Sequence, residues 1–574
     1  MIRKMLMAAV MLCGVLTTHG AAVEHIGDRY IIHVDEMSLT GEETLAEVLA
    51  MFPDVVDFNN VGANLAVRTN DYSLRTHNMG YRADYEQFLA KTKAKEIDRI
   101  KVCTMTSTMK GTEGLHKVID VYFKKAPVGT SGRVSAKADS YGNLTTFNTV
   151  KVERQNLTVW GQLMGGLRHQ RDYLSETRGG NEAAVAGFDW HIDGNNKLMA
   201  QVEQTFSKTR ERSADMNSYG RDIDVNIVYD LSLFDKRGYM EIQTVFINQG
   251  INTGTGGMGE TSHSRYTIPV GVIEFGIPLY KDKALLMAGI EGGLTRYRDF
   301  VDMPCNDRQI YYDVYGQIDW NINGLNISIG DRVRTNKYYQ NENENYGGTE
   351  PGVRRSADHR HRNHFFNFAL YGNITKHSVL RGAFAKSPLS PTFFNFLYKK
   401  DDMQGYYDYS SSVQKMDAYI SELRYEYQKP DFIFTTFVSN SHTNYFKLLS
   451  TPDEHGNVFQ VGASTYWHSG ILRLAAGLNY YNVMTRMDGE QQYSNVVQVR
   501  LQPELSLQQG WQIVPLLCYS SFARYYGEGQ PAQLQASLRI TKTLGRWDFD
   551  LIGANLAHQR FGRRTVALGV TYNW

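Results

Sequence analysis

The densest run of chemistry-bearing side chains is Arg354-Arg355-Ser356-Ala357-Asp358-His359-Arg360-His361-Arg362-Asn363-His364. Neutral imidazoles at His359, His361 and His364, with Asp358 beside them, are donors of the kind transition metals accept. Guanidiniums such as those of Arg354 and Arg355 suit an anion instead, a substrate or a lipopolysaccharide, because each presents a planar fork of donors. A solvated segment with no ligand is the plain alternative. We therefore assign no metal and keep Arg354, Arg355, His359, His361 and His364 as candidate ligand contacts. A second run, 387–415, carries Pro388, Pro391, Phe393, Phe394, Phe396, Tyr398, Tyr406, Tyr407 and Tyr409. So many rings are costly to leave in water, so Phe393, Phe394, Tyr406 and Tyr407 are expected to cover a ligand or partner, or to pack on neighbouring loops. Glu422, Arg424 and Glu426 recur every second residue, as on one face of a strand.

No set of residues marks an enzyme. The sequence holds no G-x-S-x-G elbow, no H-E-x-x-H helix and no phosphate-binding glycine loop, and no cofactor is implied. Cys103, Cys305 and Cys518 are widely scattered, which suits neither a disulfide framework nor a zinc site. A net charge of +1 gives no reason to expect a nucleic-acid partner.

The elements that must position these residues are strands with two different solvents. Ile223, Val225, Ile227, Tyr229, Leu231 and Leu233 alternate with Asp222, Asp224, Asn226, Asp230 and Ser232. Val497, Val499, Leu501, Leu505 and Leu507 alternate with Gln498, Arg500, Gln502, Glu504 and Ser506, and the pattern recurs from about Ser131 to the last residue. Short turns, such as Asn323-Gly324 and Gln508 to Gly510, are interleaved with longer polar segments, including 338–363 and 387–415, as in barrels with short periplasmic turns and long outer loops. Aromatic residues sit at segment ends, and the final alternation Val566, Leu568, Val570, Tyr572, Trp574 resembles the signal read by the barrel-insertion machinery. These features predict an all-β membrane protein, a transmembrane antiparallel β-barrel of about 22 strands over 128–574. Glu422, Arg424 and Glu426 are then placed inward, because an outward charge at mid-membrane is costly.

Two further segments precede the barrel. Arg3 and Lys4 lead an apolar run, Met5 to Leu16, ending in Gly20-Ala21-Ala22, which predicts a cleaved signal peptide over 1–22 and an outer-membrane destination. Residues 23–127 lack the alternation. Thr40 and Glu43 predict a capping box, Leu45, Val48, Leu49 and Phe52 an apolar helical stripe, and Pro53 its end. Strands are expected at 65–68, 73–75, 97–104 and 118–124, with a second helix at 85–93, making a small α/β unit.

Four stretches of this unit resemble the plug of TonB-dependent outer-membrane receptors, in the family's order. They are Gly27-Asp28-Arg29-Tyr30-Ile31-Ile32-His33-Val34, Thr44 to Val55, Ile97-Asp98-Arg99-Ile100-Lys101-Val102, and Val118-Ile119-Asp120-Val121-Tyr122-Phe123-Lys124-Lys125. The resemblance implies a plug domain at 23–127 inside the barrel, uptake of a nutrient bound by plug apex and outer loops, and TonB as periplasmic partner. Outer-membrane lipid and lipopolysaccharide are the expected surroundings. The chain departs from the family at Asp54 and Lys101, and only Val23 to Ile26 separates the expected cleavage site from the first plug strand, which leaves little room for a coupling segment. A non-transporting barrel, serving as scaffold, adhesin or platform for a surface lipoprotein, is the alternative.

Overall fold

The computed structural model describes residues 23–574 except 27–28, 38, 40, 42, 50–55, 62–64, 68–71, 78–88, 90–91, 104–116, 125–127, 172–175, 212–215, 236, 256–258, 281–282, 300–304, 323, 344–353, 390–415, 430, 445–454, 488–489, 522, 526–527, 531 and 558–563. The expected signal peptide and the expected helix at 85–93, apart from Leu89, Thr92 and Lys93, lie outside the described residues.

The chain begins with β1 (Val23–Ile26), β2 (Arg29–His33), β3 (Val56–Val61), β4 (Leu65–Val67), β5 (Tyr72–His77), β6 (Ile97–Cys103) and β7 (Lys117–Phe123). Five of these form one sheet in the order β1-β2-β6-β7-β5, antiparallel except where β5 meets β7, while β3 pairs with β4. The alternation Ile32, Ile97, Ile100, Val102, Ile119, Val121 buries one face completely. The helix α1 (Leu45–Leu49) lays Leu45, Val48 and Leu49 on that face. Its capping box sits one turn later than the sequence suggests. Glu47 N–H donates to Thr44 Oγ1 at 3.3 Å and Thr44 N–H donates to Glu47 Oε2 at 2.8 Å. Glu43 is left outside the helix because Gly41, at φ +85°, turns the chain just before it.

The barrel follows. Its first strands are β8 (Gly129–Asp139), β9 (Leu144–Glu153), β10 (Leu157–Arg171), β11 (Glu176–His191), β12 (Asn196–Glu211), β13 (Met216–Leu233), β14 (Gly238–Thr255) and β15 (Gly259–Leu279). Next come β16 (Ala284–Asp299), β17 (Cys305–Ile322), β18 (Leu325–Asn343), β19 (Arg354–Thr375), β20 (Ser378–Leu389), β21 (Met416–Lys429), β22 (Phe432–Asn444) and β23 (His455–Ser469). The last are β24 (Leu472–Met487), β25 (Glu490–Leu507), β26 (Trp511–Ser520), a small hairpin β27 (Ala523–Tyr525) and β28 (Glu528–Gln530), β29 (Gln533–Leu544), β30 (Trp547–Ala554) and β31 (Thr565–Asn573). Leaving out the hairpin, 22 strands close into one antiparallel barrel in which β31 pairs with β8. At that seam Trp574 and Gly132 exchange backbone hydrogen bonds, and a Cβ on Gly132 would stand 2.2 Å from the Trp574 ring, so only glycine fits there.

Alternation sorts the wall as expected. Ile227, Val314, Leu423 and Leu501 are exposed on the outer face, whereas Asp313, Gln317, Gln498 and Arg500 are buried within. Glu422, Arg424 and Glu426 are buried on the inward face. Trp190, Trp320, Trp467, Trp511, Trp547 and Trp574 all lie outward at the short-turn end, and Trp547 meets Tyr572 at a ring separation of 4.7 Å. Such a girdle marks a membrane interface, since indole rings carry an apolar body and a polar N–H. The turns there are built locally. Asp193 Oδ1 accepts the Asn195 N–H at 2.7 Å and the Asn196 N–H at 2.8 Å. The amide of Asn195 first, then the Asn196 side chain, hold that exposed carboxyl below the usual range. At the opposite end the strands run past the membrane, for β19 has 22 residues where about 9–11 cross a bilayer.

Ile227 is central in the outward set Ile223 to Leu233. Replacing it with arginine is expected to destabilise the barrel by about 2–4 kcal/mol in lipid vesicles, measured by denaturant unfolding. An unchanged stability would show that this face does not meet hydrocarbon.

Candidate functional site

Two sets of charged residues line the inner wall. The first joins it to the N-terminal unit. A helix as short as α1 has little stability of its own, so its packing sets where its carboxylates point. Glu47 Oε1 lies 2.5 Å from Arg539 Nη2 on β29. Glu43 pairs with Arg473 on β24, and Arg473 Nη1 also lies 2.6 Å from Glu504 Oε1 on β25. Glu504 accepts a further hydrogen bond from Gln512 Nε2 at 2.8 Å. Two guanidiniums thus face three carboxylates from both parts of the chain, all buried except Arg539, which is partly exposed.

A second group of contacts sits at the barrel seam. Lys93 Nζ lies 2.9 Å from Asp548 Oδ2, and Arg133 Nη2 lies 2.5 Å from Glu96 Oε1. Arg133 Nε also donates to Asn573 Oδ1 at 3.0 Å, so one side chain of the first barrel strand touches both the last strand and the N-terminal unit. On β21, Gln428 donates to the Val23 carbonyl and accepts its N–H, each at 3.2 Å. Wall residues Trp160, Ile433, Tyr466 and Ala475 complete the apolar cluster of the unit.

The second set lies at mid-height, where Asp313 and Glu291 face each other across β17 and β16. Like charges in register repel, and two arginines of β18 offset this. Arg334 Nη2 is 2.6 Å from Asp313 Oδ2, Arg332 Nη2 is 3.2 Å from Glu291 Oε2, and Arg332 Nε donates to Asp313 at 2.9 Å. Tyr311 O–H donates to Glu291 at 3.1 Å and Tyr315 O–H to Glu274 at 3.0 Å. The Arg334 guanidinium lies 4.6 Å from the Tyr311 ring centre. Arg332 and Arg334 thus balance the charges of Asp313 and Glu291.

Arg354, Arg355, His359, His361 and His364 do not form a loop. They belong to β19, in register with Asn343, Glu342, Tyr338, Asn336 and Val333 of β18. The expected loop over 338–363 is therefore a strand extension on both sides of 344–353. Two aqueous faces remove the apolar alternation that would have revealed it. His364 is exposed, its Nε2 lying 3.2 Å from Asp331 Oδ1. Phe393, Phe394, Tyr406 and Tyr407 lie outside the described residues. The sequence reading missed the contacts of Glu43, Glu47, Lys93, Arg133, Arg473, Arg539 and Asp548. Charges at inward positions were the available signal for the wall residues.

The closed barrel of 22 strands matches the fold of TonB-dependent outer-membrane receptors. No protein-family model matches the sequence, and no curated protein matches it. Solved structures do. The siderophore receptor PiuA from Acinetobacter baumannii is similar at a TM-score of 0.72 and 10% identity, covering 97% of this chain and 97% of that one. The FrpB iron transporter from Neisseria meningitidis, in its F3-3 variant, gives 0.69 and 12% over 98% and 100%. The copper transporter OprC gives 0.73 and 10% over 96% and 99%.

Arg473→Met would leave Glu43 and Glu504 buried without their cation. The expected cost is about 3–5 kcal/mol, read as earlier unfolding of the N-terminal unit by protease protection of residues 23–127. Protection equal to the parent protein would mean that the ion pair does not anchor the unit.

Proposed function

We infer that the N-terminal unit is the plug of a receptor of TonB-dependent type. The protein captures a metal chelate at the end of the barrel with the longer connections and passes it through the lumen to the periplasm. The observation that carries this reading is the attachment of the unit to the inner wall through Glu43, Glu47, Lys93 and Glu96. A lumen bounded by 22 strands is wide enough to need filling. Ion pairs suit a filler that must also move, because charges separated by a shift can be hydrated, whereas exposed apolar surface cannot.

Metal chelates are the substrate class best supported, since the similar solved structures are named for siderophores, iron and copper. Coupling to TonB would fall to β1. It is the terminal strand of its sheet, and an edge strand is the element to which another chain adds by backbone pairing.

Deleting the gene is expected to abolish uptake of at least one radiolabelled iron or copper chelate, and collapsing the proton gradient should abolish the same uptake in the parent strain. Transport of the whole panel unchanged by both treatments would sink the proposal. In planar bilayers the full-length protein should stay closed, and removal of residues 23–127 should give a large steady conductance. A closed trace after that deletion would show that the unit does not block the lumen.

A further inference from the structure

One arc of the inner wall buries polar groups without pairing them. On β23, β24 and β25 the inward side chains Gln460, Asn479 and Arg500 are 8%, 0% and 2% exposed. Among the described residues, Asn479 Nδ2 and Oδ1, Gln460 Nε2, and Arg500 Nε and Nη1 have no hydrogen-bond partner, and no carboxylate comes within ion-pair distance of Arg500. Its Nη2 alone is used, donating to Gln502 Oε1 at 2.5 Å. The three side chains are neighbours. Asn479 faces Gln498 and Arg500 faces Gly477 across β24 and β25, while Gln460 lies two residues from Gly462, the partner of Asn479 on β23. The Asn479 amide lies over that glycine, for a Cβ on Gly462 would stand 2.4 Å from Asn479 Oδ1.

The N-terminal unit covers this arc. Nearer the tryptophan girdle, Ile433, Tyr466 and Ala475 on β22 to β24 join the apolar cluster of the unit, and β3 runs against β25 and β26. Lower still, Arg473 and Arg539 hold Glu43 and Glu47. The unit is thus pinned below and leaves the wall unsatisfied above. Burying donors without acceptors is unfavourable, so withdrawal of the unit from the upper arc regains hydration, whereas withdrawal from the lower one breaks ion pairs.

We propose that the upper part of the unit parts from β23 to β25, and that the recess so opened is a transit site where Arg500, Asn479 and Gln460 hold an anionic, oxygen-rich chelate above the ion pairs. A guanidinium with two unused donor nitrogens, flanked by two amide donors, suits clustered anionic oxygens. The rung of Asn479 continues through Gly462 and Phe437 to Arg424 and Arg381, which both lie against Glu422. Diametrically across the barrel, the inward residues of β13 and β14 include Asp222, Asp224, Asp230 and Glu241, which repel an anion. An anion in the lumen is therefore drawn to one side. This inference deepens the reading of the unit as a plug and rests on it.

Cys518 is the reporter, because it is buried and stands in register with Arg500 on the wall that the recess uncovers. Full-length protein in neutral detergent is treated with a small water-soluble maleimide in urea below the unfolding of the barrel, and the Cys518 peptide is quantified by mass spectrometry. Only barrels that run as folded on a heat-modifiability gel are scored. When opening and closing are fast relative to labelling, the rate follows the open population. Cys518 is expected to react in barrels that are still folded. Asn479→Leu removes two unpaired groups and should slow the reaction about fivefold, with Gln460→Leu as a second variant should the first not fold. Ferric citrate, the probe anion, should slow labelling of the parent about tenfold and leave Arg500→Gln unprotected. Labelling only once the barrel unfolds, a rate unchanged or raised by the leucine variants, a parent that ferric citrate does not protect, or equal protection of Arg500→Gln would each overturn the proposal. The conductance of protein lacking residues 23–127 tests the plug reading separately, so a protein that passes there and fails here loses the transit site alone.

Discussion

Hydrocarbon offers no partner for a backbone amide, so a chain that crosses a bilayer with strands must leave no edge. The pairing of β31 with β8 meets that condition here. It depends on close contact at the seam: Gly132 lacks the Cβ that would collide with Trp574, and Thr571 Oγ1 and Ser135 Oγ share a hydrogen bond of 3.1 Å inside. Every other feature of the wall follows from this closure. Each strand acquires one face for lipid and one for the interior, and the two faces then face different energetic demands.

The interior demand is the harder one. A wide barrel turns polar and charged side chains toward its own axis, where burial raises the cost of any unpaired charge. The wall answers with opposed charges: Arg332 and Arg334 meet Asp313 and Glu291, and Arg381 and Arg424 both lie against Glu422. Toward the short-turn end the sets are completed by residues from the start of the chain. Arg473 has Glu504 on the wall beside it, yet it also takes Glu43, and Arg539 takes Glu47. The wall and the N-terminal unit thus share their electrostatic accounting.

How much of this was legible in the letters depends on the range of the interaction. Period-two alternation is local, and it placed Ile227 outward, Glu422 inward and the strand count at 22. Turns such as Gln508 to Gly510 are local too. The capping box that the structure describes is Thr44-x-x-Glu47, which repeats the pattern of Thr40-x-x-Glu43, and Thr40 lies outside the described residues. The stretch Arg354 to His364 was read as a loop because a strand with water on both faces has no solvent contrast to impose alternation. Contacts across some 430 residues, as between Glu43 and Arg473, leave no trace in a single sequence.

The choice of charges rather than oil at the contact between unit and wall has a physical logic. Well-packed apolar residues of similar volume would be at least as stabilising as a buried ion pair, because taking two charges out of water offsets most of their attraction. What the pairs add is direction and a condition. Each fixes one orientation of the unit, since Glu43 and Glu47 lie on successive turns of chain and only one placement brings Arg473 and Arg539 to both. Each also makes the docked state contingent, for admitting water to the contact weakens the attraction steeply as the local dielectric rises. The seam contacts extend the same condition to the barrel itself. Arg133 reaches Asn573 on the last strand and Glu96 on the unit, so a docked unit braces the join on which closure depends.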